Sequence, residues 1–288
     1  MDLSFIIPAK NEAEGLRRML PDLRARYPEA EIVVSDDGSE DDTHAVAHEA
    51  GAIVVSSPYS MGNGAAIKRG VRAATGDVLV MMDGDGQHLP EDVGNLLGRL
   101  QDGFDMVVGF RDRRGQASLG RSWANWLYNR LASRMTGHEI LDLTSGFRAV
   151  RAEKFREFMH LLPNGFSYPT TSTMAFFRSA YPVAYVPISV QKRVGRSHIK
   201  PVRDGVRFLL IIFKIATLYS PLKLFLPVSG LFFLTGVSHY AYTFFSHSRF
   251  TNMSVLLLVA SVIIFLIGLI SEQITSLVYH RQASGRDQ

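Results

Sequence analysis

The chain has 288 residues, a formal net charge of +4, 47% apolar and 20% charged residues, and no cysteine. That length admits one large or two modest domains, and the composition excludes a largely disordered chain. The absence of cysteine is compatible with a cytosolic domain.

Apolar runs at 3–7, 32–35, 52–56, 78–82 and 106–109 are predicted strands, and 12–25, 43–50, 64–74 and 91–101 the helices between them. This alternation predicts an α/β layered domain around a mostly parallel sheet. Ligands of such sheets bind beyond the carboxyl ends of the strands. Three polar loops fall there: Pro8-Ala9-Lys10-Asn11-Glu12, Asp36-Asp37-Gly38-Ser39 and Asp83-Gly84-Asp85-Gly86-Gln87-His88.

From 111 to 205 the pattern loosens, with a predicted helix at 121–136 carrying Trp123, Trp126 and Tyr128, and a strand at 182–187. The segment 206–218 is apolar but interrupted by Arg207 and Lys214, and reads as an interfacial helix. Stretches 224–248 and 253–271 contain no Asp, Glu, Lys or Arg, and each is long enough to span a bilayer. Tyr240, Tyr242, Phe244, Phe245 and Phe250 form an aromatic belt near their connection. Between Gln191 and Lys223 there are eight Lys or Arg and one acid, Asp204, whereas the connection carries only Arg249. The positive-inside tendency therefore predicts a cytoplasmic N-terminal domain and tail. No signal peptide is expected, because the first apolar run is only a strand long. The expected division is a 1–205 domain, a 206–223 interfacial helix, a 224–276 transmembrane hairpin and a 277–288 tail.

The third loop carries the chemistry. Asp83 and Asp85, two residues apart after a buried strand, can face one hard cation, and Gln87 adds a neutral carbonyl oxygen at the same spacing. Such oxygen donors suit Mg²⁺ or Mn²⁺ held with a substrate diphosphate; an acidic turn is the plainer alternative. A calcium loop of the EF-hand type is excluded, since His88 stands at the sharp-turn glycine and Gly94 at the bidentate Glu. No dinucleotide fingerprint, GxxxxGK[ST] loop, HExxH or GxSxG is present. A sugar nucleotidyltransferase would need a Gly-rich basic loop after the first strand, which is absent.

Pro8-Ala9-x-Asn11-Glu12, Asp36-Asp37-Gly38-Ser39 with Asp42-Thr43, Gly62-Asn63-Gly64, Asp83-x-Asp85-Gly86-Gln87-His88 and Asp142-x-Thr144-Ser145-Gly146-Phe147-Arg148 occur in this order. Together they resemble family 2 glycosyltransferases of the GT-A fold, in the branch of dolichol-phosphate mannose synthase and bacterial polyprenyl-phosphate sugar synthases. The resemblance extends over essentially the whole chain. It implies that Pro8, Ala9, Asn11 and Glu12 frame the nucleotide, that Asp37 contacts the base, and that Gly62, Asn63, Gly64 and Lys68 line the nucleotide side. Asp83 would lie near ribose and metal, with Asp85 and Gln87 as further metal ligands. Arg111, Arg121 and Asn125 would face an acceptor phosphate, and Arg193, Ser197 and Lys200 would close over the diphosphate or acceptor. Asp85, Arg111, Arg121 and Arg193 are the implied catalytic set. Asp142 either acts on substrate or orients Arg148 or its loop. Gly84 stands where Ala is common, and Ser197-His198-Ile199-Lys200 replaces an adjacent Ser-Lys pair.

The implied reaction is metal-dependent, inverting transfer from a GDP-mannose- or UDP-glucose-type donor to a dolichyl or undecaprenyl phosphate. Alternatives are another membrane acceptor, or a silent membrane-tethered sugar-nucleotide binder. The QxxRW motif of processive synthases is absent. No nucleic-acid partner is expected, and homo-oligomerisation is left open.

Overall fold

A computed structural model describes residues 2–111, 119–165, 167–189, 213, 217, 220–248 and 251–283. The chain divides into two compact units, Met1–Lys200 and Pro201–Gln288.

The first unit is built on a seven-stranded sheet. In chain order its elements are β1 (Leu3–Ala9), α1 (Ala13–Arg26), β2 (Glu31–Asp36), α2 (Thr43–Glu49), β3 (Ile53–Ser56), α3 (Asn63–Ala73), β4 (Val78–Met81), α4 (Asp92–Gln101), β5 (Met106–Arg111), α5 (Leu119–Thr136), β6 (Arg148–Arg151), α6 (Ala152–Glu157), α7 (Tyr168–Arg178) and β7 (Val183–Ile188). The strand order is β3-β2-β1-β4-β6-β5-β7. Every neighbouring pair is parallel except those of β6, which runs antiparallel to both β4 and β5.

The two faces of the sheet are filled by alternate residues of each strand, as the period of two requires. Phe5 and Ile7 of β1, Ile32 and Val34 of β2, and Val78 and Val80 of β4 pack with Leu16, Leu20 and Leu23 of α1 and Leu96 and Leu100 of α4. Ile6 turns to the opposite face, where Gly70 of α3 lies so close that a Cβ there would come within 2.6 Å of the Ile6 side chain.

The five strands and four helices expected before residue 111 are all present, with ends shifted by one or two residues. Three further elements, β6, α6 and α7, were not foreseen. β6 has only four residues with an arginine at each end. Nine of the eleven residues of α7 are buried, so its sequence shows no polar–apolar stripe.

In the second unit α8 (Pro221–His247) and α9 (Asn252–Ala283) form a hairpin. Ser229 Oγ donates to the Ser261 carbonyl at 2.9 Å, His239 Nδ1 lies 2.9 Å from Ser254 Oγ, and Gly236 faces Leu258. Pro221–Ser246 and Asn252–Leu277 are each 26 residues, long and apolar enough to cross a membrane. Only 17% of either span is buried, unlike core helices of a soluble protein. The expected interfacial helix lies outside the described residues except for 213, 217 and 220–223. Lys223, placed there by the sequence, belongs to the first turn of α8.

Candidate active site

The parallel strands deliver their ends to one rim. β1 ends at Ala9, and Asn11 turns the chain in the left-handed region at φ 55°, a conformation Asn tolerates better than most residues. Its amide donates to Ser39 Oγ at 3.0 Å and its Oδ1 accepts from Glu40 N at 2.8 Å. Glu12 occupies the cap position of α1 without capping it through its own side chain. The first amides are met from the next loop, by Thr43 Oγ1 on Glu12 N (2.9 Å) and Asp41 Oδ2 on Ala13 N (3.2 Å). Glu12 also lines the adjoining cleft.

Asp37 fixes the opposite wall. Its carboxylate accepts from Ser60 Oγ (2.7 Å), Met61 N (2.9 Å) and Gly62 N (2.8 Å), with Arg69 Nη2 at 3.9 Å. Burial pushes this carboxyl up, but those hydrogen bonds and the guanidinium outweigh it and hold it below the ordinary carboxylate range. The cleft between these walls has a volume of about 400 Å³. Pro8, Ala9, Glu12, Asp37, Gly62, Asn63, Asp83 and Asp85 all line it, so the structure brings these predicted residues together. Lys10, Ser60, Ala66 and Gly84 line it as well and were not singled out. Among the described residues Lys10 is the one basic side chain in that lining.

Gly64 and Lys68, expected on the nucleotide side, are turned elsewhere. A Cβ at Gly64 would lie 2.0 Å from the Pro163 carbonyl, and Gly64 N and Ala65 N donate to Gly165 O (3.2 Å) and Asn164 O (2.8 Å). Lys68 Nζ donates to Leu162 O at 3.1 Å and to Asn164 Oδ1. The 162–165 segment thus caps α3, and Lys68 is a fastener of that segment. These amides are not open to a phosphate.

The acidic motif is packed tightly. A Cβ at Gly15 of α1 would lie 2.2 Å from the Gly84 carbonyl, and one at Gly146 3.1 Å from Asp83 Oδ2. A Cβ at Gly84 would meet nothing nearer than 3.3 Å, so the Ala common at this position fits with a slight shift. Gln87 N donates to Asp85 Oδ1 at 3.1 Å, while Gln87 itself is not in the cleft lining. His88 stacks on Phe147 with ring centroids 4.8 Å apart, its Nε2 3.5 Å from Asp83 Oδ2. Tyr168 donates to the Gly146 carbonyl at 3.1 Å, holding the backbone that covers Asp83. Among the described residues no three His, Asp or Glu gather as a ready-made metal cage. Two carboxylates on one cleft still fit a hard divalent ion that takes its remaining ligands from phosphate and water.

Arg111, at the end of β5, donates through Nε to Asp142 Oδ2 at 3.1 Å and through Nη2 to Thr144 Oγ1 at 3.3 Å. Asp142 thus accepts from Arg111 and, within its own loop, from Thr144 N at 3.0 Å, and makes no such bond to Arg148 among the described residues. Arg148 is wholly buried: Nη1 donates to Pro169 O (3.0 Å), Ser172 Oγ (2.7 Å) and Thr173 Oγ1 (3.2 Å), and Nη2 to Ser145 O. Burial lowers its pKa. Arg121 and Asn125 belong to α5, but their side chains are outside the described residues, as are Arg193, Ser197 and Lys200 altogether.

The profile of glycosyl transferase family 2 matches residues 4–159, more than half of the chain. The chain belongs to this family. The GtrB C-terminal hairpin profile matches residues 220–277, the α8–α9 unit. This family member is 33% identical to undecaprenyl-phosphate mannosyltransferase of Micrococcus luteus, over 68% of this chain and 87% of the relative. It is 30% identical to dolichyl-phosphate hexose transferase of Haloferax volcanii, over 71% and 89%. Glycosyltransferase AglJ of the same archaeon is 29% identical over 98% of this chain and 96% of its own. Among solved structures, glucosyl-3-phosphoglycerate synthase of Mycobacterium tuberculosis with Mn²⁺, UDP and glucosyl-3-phosphoglycerate gives a TM-score of 0.58 at 25% identity, over 74% of this chain and 78% of that one. The GT-A fold and the glycosyltransferase class expected from the sequence are thereby shown.

Proposed function

We propose that this glycosyltransferase moves a hexose from a nucleotide-sugar of the GDP-mannose or UDP-glucose type onto a polyprenyl monophosphate. The products are a lipid-phosphate sugar and a nucleoside diphosphate. The observation that carries this reading is the single cleft in which the Asp37-pinned wall faces Asp83 and Asp85. Relatives named for undecaprenyl and dolichyl phosphate, and the apolar hairpin, support a lipid acceptor.

Charge decides what else the cleft requires. Among the described residues its lining carries Glu12, Asp37, Asp83 and Asp85 against Lys10, and the Gly64 and Ala65 amides are already bonded. A diphosphate among these carboxylates is favoured by an accompanying divalent cation. Asp83 and Asp85 would hold Mg²⁺ or Mn²⁺, which supplies positive charge to the departing diphosphate. The Mn²⁺ bound by the mycobacterial synthase supports this requirement.

The Asp37-bound loop and Pro8–Ala9 place the nucleotide, and Lys10 adds a cationic contact between the two acidic corners. Arg111 faces the acceptor phosphate. In the displacement, an acceptor phosphate oxygen forms a bond to the anomeric carbon while the bond to the β-phosphate oxygen breaks, its electron pair leaving on the nucleoside diphosphate. This single displacement inverts the carbon. No proton need be removed, since a phosphate monoester with a second pKa of about 6 is largely dianionic at neutral pH. The basic segment before the hairpin supports a cytoplasmic catalytic domain.

The test is purified protein in detergent with Mg²⁺ or Mn²⁺, a polyprenyl phosphate and a panel of sugar nucleotides. Lipid-linked sugar and nucleoside diphosphate should appear together, and Asp85→Ala should lower turnover by about 10³-fold. Nucleotide binding without transfer to any lipid phosphate would reject the reading in favour of a silent binder.

A further inference from the structure

Arg111 is exposed over 43% of its side chain, yet it is held firmly. A guanidinium has two hydrogen-bonding edges, and here the Nε–Nη2 edge is occupied by Asp142 Oδ2 and Thr144 Oγ1. The clamp is itself braced. Asp142 Oδ1 accepts from Thr144 N (3.0 Å) and Thr144 Oγ1 (2.9 Å), and the Asp142 side chain is only 12% exposed. Asn129 of α5 brackets the same loop, its Nδ2 donating to Leu141 O at 2.6 Å and its Oδ1 accepting from Leu143 N at 3.1 Å. Ser133 Oγ takes the Ile140 amide at 2.9 Å. Among the described residues the Nη1 atom of Arg111 has no partner, so the Nη1–Nη2 edge remains open. That edge matches two oxygens of a phosphate.

We propose that Asp142 is a positioning residue: it turns Arg111 so that its open edge meets the acceptor phosphate in two parallel hydrogen bonds. This deepens the acceptor reading above and rests on it. Asp142 partly neutralises the cation it holds, so its benefit is orientation rather than added charge. The edge that remains discriminates a phosphate monoester from a neutral hydroxyl acceptor, because only the former offers two anionic oxygens to a planar fork.

The experiment is a double-mutant cycle on the full-length chain, with polyprenyl monophosphate in detergent and the productive donor. Arg111→Ala should raise the acceptor KM on the order of a hundredfold. Asp142→Ala should raise it about tenfold with the donor KM unchanged, since misplacement alone carries such a loss. In the Arg111→Ala background, Asp142→Ala should add nothing. Asp142→Asn, nearly isosteric, carries the same test if the alanine variant does not fold. Equal donor and acceptor effects, or additivity of the two substitutions, would overturn the assignment. A wild-type chain that transfers sugar to no lipid phosphate would instead remove the reading on which it rests.

Discussion

The two halves of the catalytic unit are built on different principles. From β3 to β4 each strand is followed by its own helix, all strands run the same way, and the residues that line the cleft follow directly from strand ends. From β6 to β7 the sheet contains a reversed strand, β6, which is inserted between β4 and β5 and joins the halves. Apolar contacts run through both halves, from Phe5 and Leu16 to Phe147 and Val186. The second half adds buried polar ties across it, with Arg148 at their centre. The cleft-lining half thus follows from successive strand ends, and the other half from a buried hydrogen-bonding hub.

Substituting Arg148 should give the largest separation of the two. Arg148→Ala leaves the Ser145 carbonyl without its buried donor, and opens a cavity where the side chain lay. A loss of about 4 kcal/mol is expected, with protease cleavage in 140–180 preceding cleavage in 1–100. Simultaneous cleavage throughout would show one cooperative unit instead.

A smaller effect is expected at Asp37, a charged fastener of the cleft wall. Asp37→Asn removes a carboxylate that receives three hydrogen bonds, at a cost of about 2 kcal/mol. Since the folded carboxyl titrates below its unfolded value, its contribution is complete above about pH 4 and is lost as pH falls through the lower folded pKa. The difference in melting temperature between wild type and Asp37→Asn should therefore be flat from about pH 5 to about pH 8 and shrink in stronger acid. A difference that changed through pH 6 would contradict the bonding described.

The smallest effect sharpens the donor side alone. Lys10→Ala should weaken nucleoside diphosphate binding about fivefold at low salt, and less as salt screens the contact. Calorimetric titration of the free nucleotide measures it without any acceptor. A change in acceptor KM with donor binding intact would place Lys10 on the wrong side of the comparison.

These differences also explain what could be read from the sequence. The parallel half was legible because strand and helix periods repeat in short units, and its site residues stand in recognisable motifs after strands. Lys10 lay inside such a motif and passed unmarked, because a lone lysine after a strand reads as an ordinary solvated charge. Lys68 was misplaced because its partners, Leu162 and Asn164, arrive from more than ninety residues away. Arg148 looks like a surface residue until the hydroxyls of Ser172 and Thr173 are brought to it by a helix without an amphipathic pattern. Gly15 and Tyr168 carried no signal at all, since close approach to Gly84 and a bond to the Gly146 carbonyl are properties of the assembled chain.

The position of β6 bears on how the protein is made. It is inserted between β4 and β5, yet it leaves the ribosome after both. A nascent chain that has emerged only to Phe147 has β4 and β5 without the strand that joins them, and the β4 edge is open to pairing with another chain. Residues 148–151 must then enter as a wedge, completing ladders on both sides at once. Domains of this kind mature slowly, because contacts distant in sequence must form before the sheet is continuous. Gly146, which covers Asp83, comes two residues before that wedge. Synthesis of this chain therefore passes through a long interval in which the acidic motif is translated but its cover is not, and the seam closes from the middle outward.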